Sequence, residues 1–148
     1  MTSEPRYAGF WWRALAALVD LFVVQLGSFF AGVLIAGAIF LFSPAPLEQT
    51  NPFPPRWVVW AVNLALPWLY FALMESSRLQ ATLGKRLTRL AVTDVYGERM
   101  SFLRASARHF GKFLSIATAF IGFAMAGFTR RKQALHDLLA GALVARSP

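Results

Sequence analysis

The stretch WWRALAALVDLFVVQLGSFFAGVLIAGAIFLF, residues 11–42, decides what kind of protein this is. From residue 21 to residue 42 it carries no charge, and Gln25 is its one strongly polar side chain. As a helix rising about 1.5 Å per residue, that part is about 33 Å long, enough to cross a hydrocarbon core of about 30 Å. The same stretch holds Arg13 and Asp20. A charge in hydrocarbon costs from about 2.5 kcal/mol upward, so such residues persist where they face protein and have partners. The two lie on one helix face about 10.5 Å apart along the axis, too far to bond directly but able to bracket a third group. In the alternative, Arg13 reaches lipid phosphates and Asp20 caps or pairs with a neighbouring helix.

Extended back to residue 10, the helix would be about 50 Å long, so residues 10–19 are expected to lie along or just under the interface, where Trp11 and Trp12 fit. The apolar run exceeds the roughly 7–15 residues of a signal-peptide core and reads as a retained span. Residues 43–55, SPAPLEQTNPFPP, hold five prolines and read as an aqueous loop. Residues 57–74 form the second span, with Pro67 as a kink and Trp57 and Trp60 at the rim. Residues 75–112 then carry eight cations against three acids, which puts this region and the amino terminus in the cytoplasm.

Within that region LTRLAVTDVYGERMSF alternates around a Tyr96-Gly97 turn signal, the pattern of a small cytoplasmic hairpin with Leu90, Val92, Met100 and Phe102 inward. From Ser101 the pattern becomes that of an amphipathic surface helix, with Arg104, Arg108 and Lys112 on one stripe. A third apolar run, residues 113–128, is slightly short for a crossing at about 24 Å. Arg130, Arg131 and Lys132 follow it. Hydropathy favours a full span there, and charge bias favours a re-entrant segment.

The totals agree. Of the 148 residues, 57% are hydrophobic, against about 45–50% in a soluble domain. The formal charge of +8 flanks apolar runs, as orientation in anionic lipid requires, so nucleic acid is not an expected partner. Cysteine is absent, which excludes disulfides and thiol chemistry. No nucleophile and base pair, metal cluster or cofactor fingerprint stands out, so neither an enzyme nor a bound cofactor or metal is expected. The fold class is an all-α membrane protein: two transmembrane helices at residues 21–42 and 57–74, a third membrane segment at 113–128, and one domain over residues 1–148.

Asp137 sits in an apolar setting between Leu135 and Leu138 and needs a cationic or hydrogen-bonding partner, for which Arg13 is the membrane-embedded candidate. His136 beside it either relays a proton or faces water. In ATLGKRL, Gly84 precedes Lys85 and Arg86 without the spacing of a phosphate-cradling loop. It reads as a short helix begun at Thr82, with leucines toward the membrane and cations at lipid phosphates. Lys85, Arg86, Arg104, Arg108 and Lys112 are the basic residues expected to face lipid or a partner.

Three separated blocks in order, GFWWRALAALVDLFV, then ESSRLQATLGKRLTRLAVTDVYGERMSF, then RASARHF with RRKQALHDLLAGALVA, resemble the RDD family of small bacterial membrane proteins. The resemblance covers most of the chain. It implies that Arg13, Asp20 and Asp137 are the signature arginine and two aspartates, and that the protein is a multi-pass protein of the bacterial inner membrane. The family typically reads AGTVVV where this chain has AGALVA, which keeps the apolar character. The activity attributed to some members suggests exchange of protons with monovalent cations at this cluster, in an oligomer. The alternative is a membrane scaffold or accessory subunit with a structural cluster and a basic face for a partner or anionic lipid. Small residues on span one, Gly27, Ala31, Gly32, Ala36 and Gly37, serve close helix approach in either case.

Overall fold

Uninterrupted apolar sequence makes long helices. In the computed structural model, which describes residues 7–42, 53–118 and 121–146, α1 runs unbroken over Phe10–Phe42 and α2 over Arg56–Ser76. Residues 43–52, most of the expected proline-rich loop, and residues 119–120, inside the third apolar run, lie outside the described residues. Both long helices are apolar enough to cross a membrane. Phe22, Phe30, Leu34, Leu41, Trp57 and Trp60 all point outward, an arrangement that lipid stabilises and water would not.

The separate interfacial segment expected at residues 10–19 is instead the first three turns of α1. Ala16, Asp20 and Val24, spaced four apart, form its buried stripe. The short helix α3, Leu83–Leu87, packs across that stripe, so protein contacts hold this end of α1. Around it is a cap built from β1 (Leu90–Asp94), α4 (Phe102–Ala117), α5 (Ile121–Phe128), α6 (Leu135–Ala140) and β2 (Ala142–Arg146). Leu90, Val92, Met100, Ala105, Ala140 and Val144 form its apolar core together with Ala16 and Ala72 of the long helices.

The expected local hairpin does not form. Its turn exists: the Asp94 carboxylate accepts from the amides of Tyr96 and Glu98, both at 2.9 Å, and Gly97 takes φ 85°. The returning strand is cut short because Ser101 caps α4, its hydroxyl accepting from the Arg104 amide at 3.3 Å. β1 pairs instead with β2, antiparallel, from Leu90 opposite Arg146 to Asp94 opposite Ala142. On the other edge of β2, Tyr7 bridges to Ala145 and the Ala8 amide donates to the Val144 carbonyl at 2.9 Å. Leu90, Val92 and Met100 are buried as expected, while Phe102 is exposed.

α4 is an inside-out helix. Ser106, Arg108, His109 and Ser115 are buried, while Leu103, Phe110, Phe113, Leu114 and Ile116 face outward. The axes of α4 and α5 lie at 103°. At the bend Gly122 lies against Ser115, where a Cβ would come within 2.9 Å of the Ser115 Cα. Arg108 before the third apolar run bonds to Asp137 after it at 2.7 Å, so the chain leaves and re-enters the cap at the same end. The run is therefore sharply bent and not one straight helix.

Candidate functional site

Five elements contribute to one line of alternating charge at the end of α1 and α2. Arg13 comes from α1, Glu75 from the last turn of α2, Lys85 from α3, Arg108 from α4 and Asp137 from α6. Arg13 donates through one terminal nitrogen to Asp137 Oδ2 and through Nε to the Ala8 carbonyl at 3.1 Å. Arg108 presents Nε and Nη2 to Asp137 Oδ1, each at 2.7 Å, and turns Nη1 to both Glu75 oxygens at 2.8 and 2.7 Å. Lys85 closes the line with an ion pair to Glu75 Oε1. The side chains of Asp137 and Glu75 are 0% and 1% exposed, so these charges have only one another and nearby backbone for solvation.

The local sequence explains each position. Asp137 stands in the first turn of α6, where Oδ2 also accepts the Ala134 amide at 3.1 Å. Lys85 follows the Thr82 cap of α3, whose hydroxyl accepts from the Lys85 amide at 3.4 Å. Burial raises the Asp137 carboxyl, but the Arg108 and Arg13 guanidiniums outweigh it and hold it below the usual carboxylate range. Burial likewise lowers the Lys85 ammonium against the opposing pull of Glu75. His136 is pushed down to about 3, by burial first and by Arg108 next, so its ring is neutral near pH 7. Its Nδ1 lies 3.1 Å from the Ser115 hydroxyl and its Nε2 3.5 Å from Asp137 Oδ1.

Asp20 belongs to a second knot. Its Oδ1 accepts from the Tyr70 hydroxyl and the Gly84 amide, both at 2.8 Å, and its Oδ2 accepts from the Thr82 hydroxyl at 2.5 Å. The Tyr70 oxygen in turn accepts the Leu83 amide at 3.0 Å, so this acid ties α1, α2 and α3 together. Asp20 bonds to neither Arg13 nor Asp137. Two helical turns on α1 deliver the two signature residues to different levels, and each level has its own partners.

Two residues expected to face lipid or a partner do not. Lys85 and Arg108 point inward, because Glu75 and Asp137 supply stronger partners than a headgroup and burial without them would be prohibitive. Arg86 is exposed. Arg104 is also exposed and lies 3.6 Å from Asp94. Lys112 is half-buried with its ammonium 3.6 Å from the centre of the Phe71 ring. The sequence reading missed Glu75, which it counted only as a charge, and Tyr70. The one signal for Glu75 was an acid directly after the apolar run ending at Met74.

Gly84 is where α3 meets α1 most closely. A Cβ there would collide with the Ala16 carbonyl oxygen and lie 2.9 Å from Asp20 Cγ. Gly84→Ala is therefore expected to cost about 1–3 kcal/mol through overpacking and the disturbed Asp20 bonds. In detergent this lowers the thermal midpoint by several degrees, and an unchanged midpoint would mean that the contact is not tight.

A model of the RDD family matches residues 7–141, a range that includes Arg13, Asp20, Glu75, Lys85, Arg108 and Asp137. The Uncharacterized protein YxaI of Bacillus subtilis (strain 168) is 33% identical over 144 residues, covering 89% of this chain and 92% of that protein. No solved structure matches the chain significantly.

Proposed function

The chain belongs to the RDD family, and on that premise we propose that this membrane protein is a scaffold or accessory subunit whose charged line is a structural clamp. One observation carries the reading: every oxygen of Glu75, Asp137 and Asp20 already has a donor inside the protein. A carboxylate that exchanges a proton for a cation needs an oxygen reachable from water on each side in turn, with a pKa poised between the two states. Guanidiniums hold Asp137 away from that condition, and burial keeps the His136 ring neutral near pH 7.

The clamp fastens α4 and α6 onto the two long helices, giving the membrane a rigid cap with exposed basic residues such as Arg86 and Arg104. The cationic richness of residues 75–112 supports a cytoplasmic cap and amino terminus in a bacterial inner membrane. On α1, Gly27 faces Leu66, whereas Gly32 and Gly37 have open space beside them. That uncovered length suits a second copy or a membrane partner subunit.

The test is flux. The full chain, purified and reconstituted in vesicles with a pH-sensitive dye, is expected to leave proton movement at the protein-free baseline under sodium or potassium gradients. Flux clearly above baseline that Asp20→Asn abolishes while assembly survives would replace the scaffold reading with cation and proton exchange.

A further inference from the structure

We propose that the cleft between the turn at residues 77–80, α3 and the start of β1 binds a phosphate group, and that its source is the headgroup of an anionic phospholipid. This deepens the accessory reading and rests on it for the membrane setting alone.

The cleft is a half-open surface concavity of about 370 Å³, lined by Arg78, Arg86 and Arg89 with Leu79, Ala81, Leu90 and Ala91. No acid lines it. Among the described residues none of the three guanidiniums has a carboxylate partner, in contrast to Arg13, Lys85, Arg104 and Arg108. Three like charges gathered at one concavity repel one another unless an anion joins them, and the guanidinium fork matches phosphate oxygens two at a time.

The backbone that carries them is held at both rims. The Ser77 hydroxyl donates to the Met74 carbonyl at 2.7 Å and accepts from the Leu79 amide at 3.1 Å. The Gln80 carbonyl accepts from the Val92 amide at 2.6 Å, and the Arg86 carbonyl from the Arg89 amide at 3.0 Å. Gln80 and Arg89 bracket the segment in the left-handed region, at φ 49° and 54°. At Arg89, just after the Thr88 cap, this is the left-handed end of α3, a position glycine usually takes and where arginine stands at some cost to the backbone.

Depth argues for a lipid over a soluble anion. From residue 57 to residue 76, α2 spans about 30 Å, the thickness of the hydrocarbon core, so Arg78 stands at headgroup level. Leu79, Leu83 and Leu87 are exposed beside the arginines. They offer acyl chains an apolar flank from which a free phosphate would gain nothing.

The experiment measures which lipids the full chain retains from an equimolar mixture of phosphatidylglycerol and phosphatidylcholine nanodiscs. Wild type is expected to enrich phosphatidylglycerol, and each of Arg78→Ala and Arg86→Ala to cut that enrichment by up to about fivefold. Arg89→Gly is expected to cut it similarly while its thermal midpoint holds or rises, which separates lost binding from lost folding. Arg130→Ala combined with Arg131→Ala, exposed cations away from the cleft, is expected to leave the enrichment intact. A midpoint raised by inorganic phosphate in detergent, cleft-dependent but without lipid preference, supports the phosphate site and overturns the lipid as its source. No preference, or equal loss in the control, overturns the site. Either failure leaves the clamp standing, and a positive flux result leaves the lipid preference standing.

Discussion

Asp137→Asn is expected to destabilise the protein by about 3–5 kcal/mol, the cost of leaving a buried charge without its counter-charge. The amide nearly matches the carboxylate in shape, so little of the loss comes from a cavity. Two guanidiniums meet on this one acid, and arginine cannot shed its proton to escape. Arg108 keeps Glu75, but Arg13 is left with no carboxylate and only neutral acceptors such as the Ala8 carbonyl. Arg108→Met should cost less, because Asp137 would keep Arg13 and Glu75 would keep Lys85. Unfolding in mixed micelles, followed by circular dichroism, ranks the two. If Asp137→Asn loses under about 1 kcal/mol, the pair is not desolvated as the structure has it.

The pH dependence of that comparison has a definite sign. Asp137 is held below its unfolded value, so its contribution is complete above about pH 4 and fades as pH falls toward the lower folded value. Wild type and Asp137→Asn should therefore converge in acid and stay apart from pH 5 upward.

How much of this was legible in the sequence follows from which properties are local. Hydropathy adds up residue by residue, so both spans were readable before any contact was known. The start of α1 was not, because Asp20 looks like an interface residue until Tyr70, Thr82 and Gly84 are known to surround it. The periodicity of α4 gave a helix with two stripes but not which stripe faces in. In water the basic stripe turns outward. Here Glu75 and Asp137 lie inside, so Arg108 is buried while Arg104 of the same stripe stays exposed and Phe110 faces outward. β2 was missed for a related reason: ALVAR is too short to declare itself, and its partner β1 lies about fifty residues away in sequence. The family resemblance points to Arg13, Asp20 and Asp137, of which Arg13 and Asp137 pair and Asp20 does not join them. That Glu75 and Arg108 extend the Arg13–Asp137 pair into a line follows only from where α2 and α4 end up.

Glu75→Gln is expected to cost about 3 kcal/mol near neutral pH, and unlike the loss at Asp137 this one should shrink as pH rises. Removing the carboxylate strands Lys85, while Arg108 keeps Asp137. Lysine can give up its proton. Its folded pKa already lies below the ordinary value through burial, and losing Glu75 removes the main opposing pull, so the variant's Lys85 titrates lower still. Below the unfolded value of about 10.4 the unfolded chain then binds more protons than the folded one, so stability climbs with pH at up to about 1.4 kcal/mol per unit between the two values. Adding Lys85→Met to Glu75→Gln should reduce that slope and recover stability at neutral pH, because the stranded ammonium is gone and Arg108 keeps Asp137. A Glu75→Gln variant whose stability does not change with pH, or a double variant weaker than the single one, would mean that Lys85 reaches water and that the line of charge ends at Arg108.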